Sequence, residues 1–168
     1  MRIIIPTRGR TDRQLTPQSL PRELLKRTTL VCPKREASEL HRLYEDVEIV
    51  VQPDANMTIA PKRAWIMREW LRAGYHKIIM LDDDLNFATR VSENDTHLRS
   101  IQGEELIPEF ERLANKLGPE FPHVGFGQSR PRKSAQDDKW NFCLTTAIVA
   151  VNRRNHEQTT PPEPLTGL

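Results

Sequence analysis

Three carboxylates stand side by side in this chain, Asp82, Asp83 and Asp84, and an apolar run, Lys77-Ile78-Ile79-Met80-Leu81, leads directly into them. The run does not alternate polar with apolar residues, so it reads as a strand buried on both faces. Side chains alternate along a strand, which predicts Asp82 and Asp84 on one side and Asp83 on the other. Two carboxylates at a strand's end suit a hard divalent cation. Mg2+ and Mn2+ prefer oxygen ligands, and Mg2+ is often held by one or two carboxylates plus substrate phosphates. A single Asp commonly ends a strand as an acidic turn. Three in succession repel one another unless a cation or a basic group lies between them, so a metal held by Asp82 and Asp84 is the expectation.

Basic residues gather in two other stretches. Pro6-Thr7-Arg8-Gly9-Arg10-Thr11-Asp12-Arg13 directly follows a first apolar strand, Arg2 to Ile5. In open α/β sheets, ligands sit beyond the carboxyl ends of the strands. Arg8, Arg10 and Arg13 have the fork geometry for bidentate contacts with phosphate oxygens; taken alone, the loop reads equally well as a solvated basic turn. Lys62 and Arg63 lie in the first turn of a predicted helix, where cations oppose the helix dipole. That local conflict points to a nearby anion. Trp65 and Trp70 share a stripe with Ile66, Met67 and Leu71, which reads as core rather than as a sugar platform. His97 reads as a surface histidine before a metal ligand. Arg130, Arg132, Lys133 and Lys139 fall in a polar surface loop.

The elements that must position these residues alternate in type. After the first strand, Pro17 and Pro21 restrict residues 15–26 to a short or broken helix. Thr28 to Cys32 is a second strand closed by Pro33. Ala37, Leu40, Leu43, Tyr44 and Val47 follow the helical period, with Ser38 or the polar residues before it as caps. Val47 to Val51 is a third strand, ended by Gln52-Pro53-Asp54. Pro61 opens the next helix and Gly74 stops it. The strand Ile78 to Leu81 follows. This order predicts an α/β fold with a mostly parallel central sheet flanked by helices. Residues 86–102 are polar and show no clear period. Leu106, Ile107, Phe110, Leu113, Ala114 and Leu117 form an amphipathic helix stopped by Gly118 and Pro119, and Glu104 and Glu105 suit its start. His123 to Phe126 reads as a short strand and Phe142 to Val151 as the last one. The domain is placed at 1–153. Residues 154–168, with Pro161, Pro162 and Pro164, read as a disordered tail or linker.

With 168 residues, 37% hydrophobic and 29% charged, the chain has the composition of one soluble domain with a real core. A net charge of +2 does not by itself imply nucleic-acid binding. No apolar segment is long enough for a membrane span, and the N-terminal run is too short for a signal peptide. Cys32 and Cys143 read as free buried thiols of a reducing compartment.

Taken together, Pro6-Thr7-Arg8-Gly9-Arg10, Gln14-Leu15-Thr16, Ile59-Ala60-Pro61-Lys62-Arg63 and Met80-Leu81-Asp82-Asp83-Asp84-Leu85 resemble the GT-A glycosyltransferases, whose Asp-x-Asp motif binds a divalent metal and a sugar-nucleotide diphosphate. More narrowly, the chain from Met1 to about Arg153 is similar to the phage TET/JBP-associated glycosyltransferases, which are predicted to glycosylate hydroxymethylated pyrimidines in DNA. The resemblance implies Mn2+ or Mg2+ on Asp82 and Asp84, with Asp84 the best ligand. It implies that Asp82 or Asp83 touches ribose or sugar. Thr7, Arg8 and Arg10 would form the nucleotide-binding loop, Arg63 with Lys62 would neutralise the diphosphate, and Pro53 and Asp54 would border the base or ribose. It further implies a UDP-sugar donor, DNA as an acceptor, no membrane, and a cytoplasmic location, the host cytoplasm for a phage-encoded protein.

The resembling enzymes usually carry a further acidic motif after the last strand, from which an inverting enzyme draws its base. Here only Asp137, Asp138, Glu157 and Glu163 stand in that region, and no catalytic base is assigned. The acceptor half is therefore expected to be missing, truncated or supplied by a partner. Two other readings stay open: a GT-A-like domain that binds nucleotide or nucleic acid without catalysis, and a nucleotidyltransferase, whose Gly-x-Gly first loop the single Gly9 does not match. A metal-dependent nuclease is more distant.

Overall fold

Ile3, Ile4 and Ile5 have no exposed surface at all. Burying each contributes roughly 1.5–3 kcal/mol, enough to make their strand the centre of a sheet. In the computed structural model, which describes residues 1–91, 98–118, 120–121, 123–125 and 150–152, this strand is β1 (Arg2–Pro6). Two short helices follow, α1 (Leu15–Ser19) and α2 (Arg22–Leu25), broken at Leu20-Pro21. Then come β2 (Thr28–Cys32), α3 (Lys34–Leu43), β3 (Glu48–Val51), α4 (Ile59–Arg72) and β4 (Lys77–Met80). The order across the sheet is β3-β2-β1-β4, all parallel. At the far edge β7 (His123–Val124) and β8 (Ala150–Asn152) add the order β4-β8-β7, with β8 antiparallel to both neighbours.

Alternation along β1 divides the core. Ile3 and Ile5 pack on one face with Leu24, Leu40 and residues of α5 (Leu106–Lys116), among them Phe110 and Leu113. Ile4 packs on the other face with Ile66, Trp70 and Leu71 of α4. The result is three layers, helices on both faces of a sheet, as the alternation of elements predicted.

Several boundaries differ from the sequence expectation. Helix α4 begins at Ile59, so Pro61 is its third residue rather than its first. The ring is tolerated because the N–H groups of a helix's first turn have no intrahelical partner; the first turn closes with Lys62 N–H on the Thr58 carbonyl at 3.0 Å. Its other end fits expectation: Gly74 adopts φ +89°, Gly74 N–H donates to Leu71 and Tyr75 N–H to Trp70, the paired bonds of a Schellman stop. Ser38 lies inside α3 and does not cap it, since α3 follows Pro33 without a side-chain cap. The polar stretch after the carboxylates contains a hairpin, β5 (Phe87–Arg90) with β6 (Leu98–Ile101). His97, Cys143 and the loop at 128–139 lie outside the described residues. Cys32 is a buried free thiol, as expected. Among the described residues, no helix is long and apolar enough to cross a membrane.

Candidate active site

Strand β1 sends the chain toward β2 on one side and pairs with β4 on the other, so the strand order turns between β1 and β4. Such a switch point leaves a crevice beyond the carboxyl ends of the two strands. The loop after β1, the turn after β4 and the start of α4 meet there around a cleft of about 450 Å³. Thr7, Arg8, Arg10, Lys62, Arg63, Asp82, Asp83 and Asp84 all line it. Pro6 and Ile59, and Met57 and Thr58, which the sequence had not singled out, complete the wall. Pro53 is not part of this lining; it lies exposed after β3, next to Gln52, whose Nε2 donates to the Asp54 carbonyl at 2.6 Å.

The three carboxylates do not alternate as a strand would have them. Strand β4 ends at Met80, and Asp83 and Asp84 fall in a turn. Asp83 and Asp84 therefore meet on one guanidinium: Arg10 Nη1 donates to Asp83 Oδ1 at 3.1 Å and to Asp84 Oδ2 at 2.6 Å. Arg63 Nη2 donates to Asp82 Oδ1. Arginines thus supply the positive charge that three adjacent carboxylates require. Asp83 is 8% exposed and its second oxygen accepts the Thr7 hydroxyl at 2.7 Å. Both its oxygens are engaged, so it clamps the β1 loop to the acidic turn. Asp82 and Asp84 each keep one carboxylate oxygen without a hydrogen bond among the described residues. Those two hard donors fit Mg2+ or Mn2+. No group of three or more metal-ligating side chains converges among the described residues, so a cation held here would complete its shell with substrate and water oxygens.

Two buried polar residues hold the arrangement. Thr16 Oγ1 donates to the Asp82 carbonyl at 2.6 Å and accepts from Leu85 N–H at 2.9 Å, while Thr16 N–H donates to the Asp83 carbonyl at 3.1 Å. Gln14 Nε2 donates to Thr7 Oγ1 at 2.6 Å and to the Arg10 carbonyl at 2.7 Å. Hydrophobic periodicity gives no sign of these roles. The available signal is that Gln14 and Thr16 are polar residues at the start of a short helix, and buried polar groups need partners.

Lys62 is buried and its Nζ donates to the Thr7 carbonyl at 3.0 Å. Burial pushes its pKa down, opposed by the charges of Glu36 and Cys32. Glu36 accepts Gly9 N–H at 2.9 Å, where the loop turns through φ +74°. Burial, with Glu36 adding to it, pushes the Cys32 thiol up to about 11. The hydrogen bond that Arg10 donates to Asp84, with the charges of Asp83 and Asp84, raises the Arg10 guanidinium above its ordinary value. Arg8 is exposed and forms no ion pair among the described residues. The cleft therefore carries four cationic side chains against three carboxylates, a polar, cation-rich wall suited to an anionic group.

A parallel sheet with helices on both faces, gathering carboxylates and cations beyond its carboxyl edge, is a GT-A-like glycosyltransferase architecture. The chain belongs to the TET-Associated Glycosyltransferase family, whose family model matches residues 1–159. Membership implies a glycosyltransferase with a sugar donor and an acceptor. Neither a curated protein nor a solved structure matches the chain.

Proposed function

We propose that the protein is a metal-dependent glycosyltransferase that moves a sugar from a nucleotide-diphosphate donor, a UDP-sugar, to an acceptor hydroxyl, a hydroxymethylated pyrimidine in DNA. The observation that carries this reading is the convergence of Asp82, Asp84, Arg8, Arg10, Lys62 and Arg63 on one cleft at the switch point of the sheet. Breaking the bond between the anomeric carbon and the diphosphate leaves negative charge on the departing nucleotide. Prearranged positive groups stabilise such charge without reorganising as it develops. A divalent cation on Asp82 and Asp84 would supply Lewis-acid stabilisation of that leaving group. Arg8, with no carboxylate partner among the described residues, is the side chain most available to the diphosphate. Lys62, held on the Thr7 carbonyl, adds a fixed charge at the cleft's base. The acceptor oxygen attacks the anomeric carbon and gives up its proton. Asp137, Asp138, Glu157 and Glu163, the acidic residues considered for that step, lie outside the described residues.

The arginine partners of all three aspartates favour a second reading, in which nucleotide binds without a metal and without transfer. Calorimetric titration of UDP and UDP-glucose with and without Mn2+ separates the two. Binding that needs Mn2+ and disappears in Asp84→Ala supports the glycosyltransferase reading. Binding indifferent to Mn2+, with no release of UDP from UDP-glucose over a hydroxymethylated DNA duplex, supports the second and overturns the first.

A further inference from the structure

Arg10 spends its two bonds to the carboxylates from a single nitrogen, Nη1, and its Nη2 and Nε make no bond among the described residues. Its side chain is 47% exposed, on a loop beside the positive-φ Gly9. The donors left over form the planar fork that matches phosphate oxygens. On Asp84, the guanidinium takes one of the two oxygens, and its charge sits close to the other. A divalent cation coordinated by Asp84 would lie against that guanidinium, and two cations sharing one carboxylate repel. Asp83 is buried and tied to the Thr7 hydroxyl, which keeps it turned to the β1 loop. Asp82 is held separately by Arg63.

We infer that Arg10 and a divalent cation compete for Asp84, and that the cation passes Arg10 on to the donor's diphosphate, so that metal and nucleotide binding strengthen each other. The inference rests on the donor-site reading above and deepens it: Arg10 is a diphosphate-binding residue whose exchange makes the order and cooperativity of binding a property of the cleft.

The test is a set of calorimetric titrations on the full chain: Mn2+ alone, UDP alone, and each in the presence of the other. In the unaltered protein, UDP should strengthen Mn2+ binding at least fivefold, in the usual range of coupling between two sites. Arg10→Ala removes the competitor, so Mn2+ alone should bind severalfold more tightly while UDP in saturating Mn2+ binds at least fivefold more weakly. The mutual strengthening should fall clearly below that of the unaltered protein, the remainder coming from the cation's own bonds to the diphosphate. Arg10→Gln, which keeps a polar side chain, should move all three quantities in the same directions. Arg72→Ala, on an exposed part of α4 paired with Glu69, should move none of them. Mn2+ affinity that is unchanged or weaker in both Arg10 variants overturns the competition while leaving the donor site standing. An unaltered protein that binds no Mn2+, with or without UDP, overturns both readings together.

Discussion

Replacing Thr16 with valine tests whether the acidic turn is held from below. Valine keeps the branch and nearly the volume of threonine, so the change removes a hydroxyl and creates little cavity. That hydroxyl serves two backbone groups at once, the Asp82 carbonyl and the Leu85 N–H. Leu85 has no exposed surface, so its N–H would lose its partner away from water, at about 1–3 kcal/mol. Asp82 is partly exposed, and water can recover part of its share. The two together predict a loss of about 2–4 kcal/mol. Thr16→Ser keeps the hydroxyl and deletes one methyl, at about 1 kcal/mol. Urea denaturation followed by tryptophan fluorescence measures both, because Trp65 and Trp70 lie on α4, against the sheet that carries the turn. In conditions where Thr16→Val is still folded, Mn2+-dependent UDP binding should weaken more than in Thr16→Ser. Equal stability of the two variants would refute the assignment of Thr16 as the anchor of the turn.

Asp84→Ala should abolish Mn2+-dependent UDP binding with little change in unfolding free energy, read by calorimetry and urea titration on the same sample. Lys62→Met should weaken UDP binding about tenfold while moving stability by no more than about 1 kcal/mol, because the relief of a buried charge offsets the loss of the Thr7 carbonyl's partner; a large loss of stability would make Lys62 a structural residue first. The folded state keeps the Cys32 proton from the ordinary 9.0 up to about 11, so its stabilisation is full below pH 9 and declines as pH rises to about 11, by about 1.4 kcal/mol per pH unit. Lys62 acts in the opposite sense below 10.5, since the folded state releases its proton earlier. Urea midpoints across pH 8–11 under reducing conditions should therefore show a steeper alkaline loss in the unaltered protein than in Cys32→Ala, and parallel curves would contradict the buried neutral thiol. Gly74→Ala should cost about 1 kcal/mol, as strain at φ +89° with no steric clash around the new methyl, and a neutral result in thermal unfolding would argue against the Schellman stop.

The sheet was legible because each of its first four strands carries a short apolar run, and burial of β1, β2 and β4 leaves little polar alternation to confuse the reading; β3, at the edge, is exposed at both ends. The hairpin β5–β6 was not, because each of its strands buries only one residue, Phe87 and Ile101; two buried residues in eight give neither period. The membership of the cleft was legible from charge and from position after strands. Its internal wiring was not. The alternation expected of Asp82 to Asp84 failed because the strand stops at Met80, and a turn obeys no two-residue rule. Thr16 and Gln14 act across 66 and 7 residues respectively, and no local pattern encodes bonds of that kind. Lys62 and Arg63 answered to the Thr7 carbonyl and to Asp82, partners that only the tertiary fold could name.

The central position of β1 also bears on how the chain is made. Ile3 pairs with Thr28 on one side and with Ile79 on the other, so β1 must wait for about seventy more residues to be made before its second edge is closed. Until then a row of buried isoleucines and open backbone groups faces the nascent chain's surroundings, a template for aggregation. Closure brings Thr7 and Asp83 together, because the turn after the strand that seals the edge is also the acidic wall of the cleft. The pairing of β4 with β8 comes another seventy residues later. Synthesis therefore supplies every residue of the cleft lining before the far edge exists, and a slow step near residue 84 would delay its acidic wall.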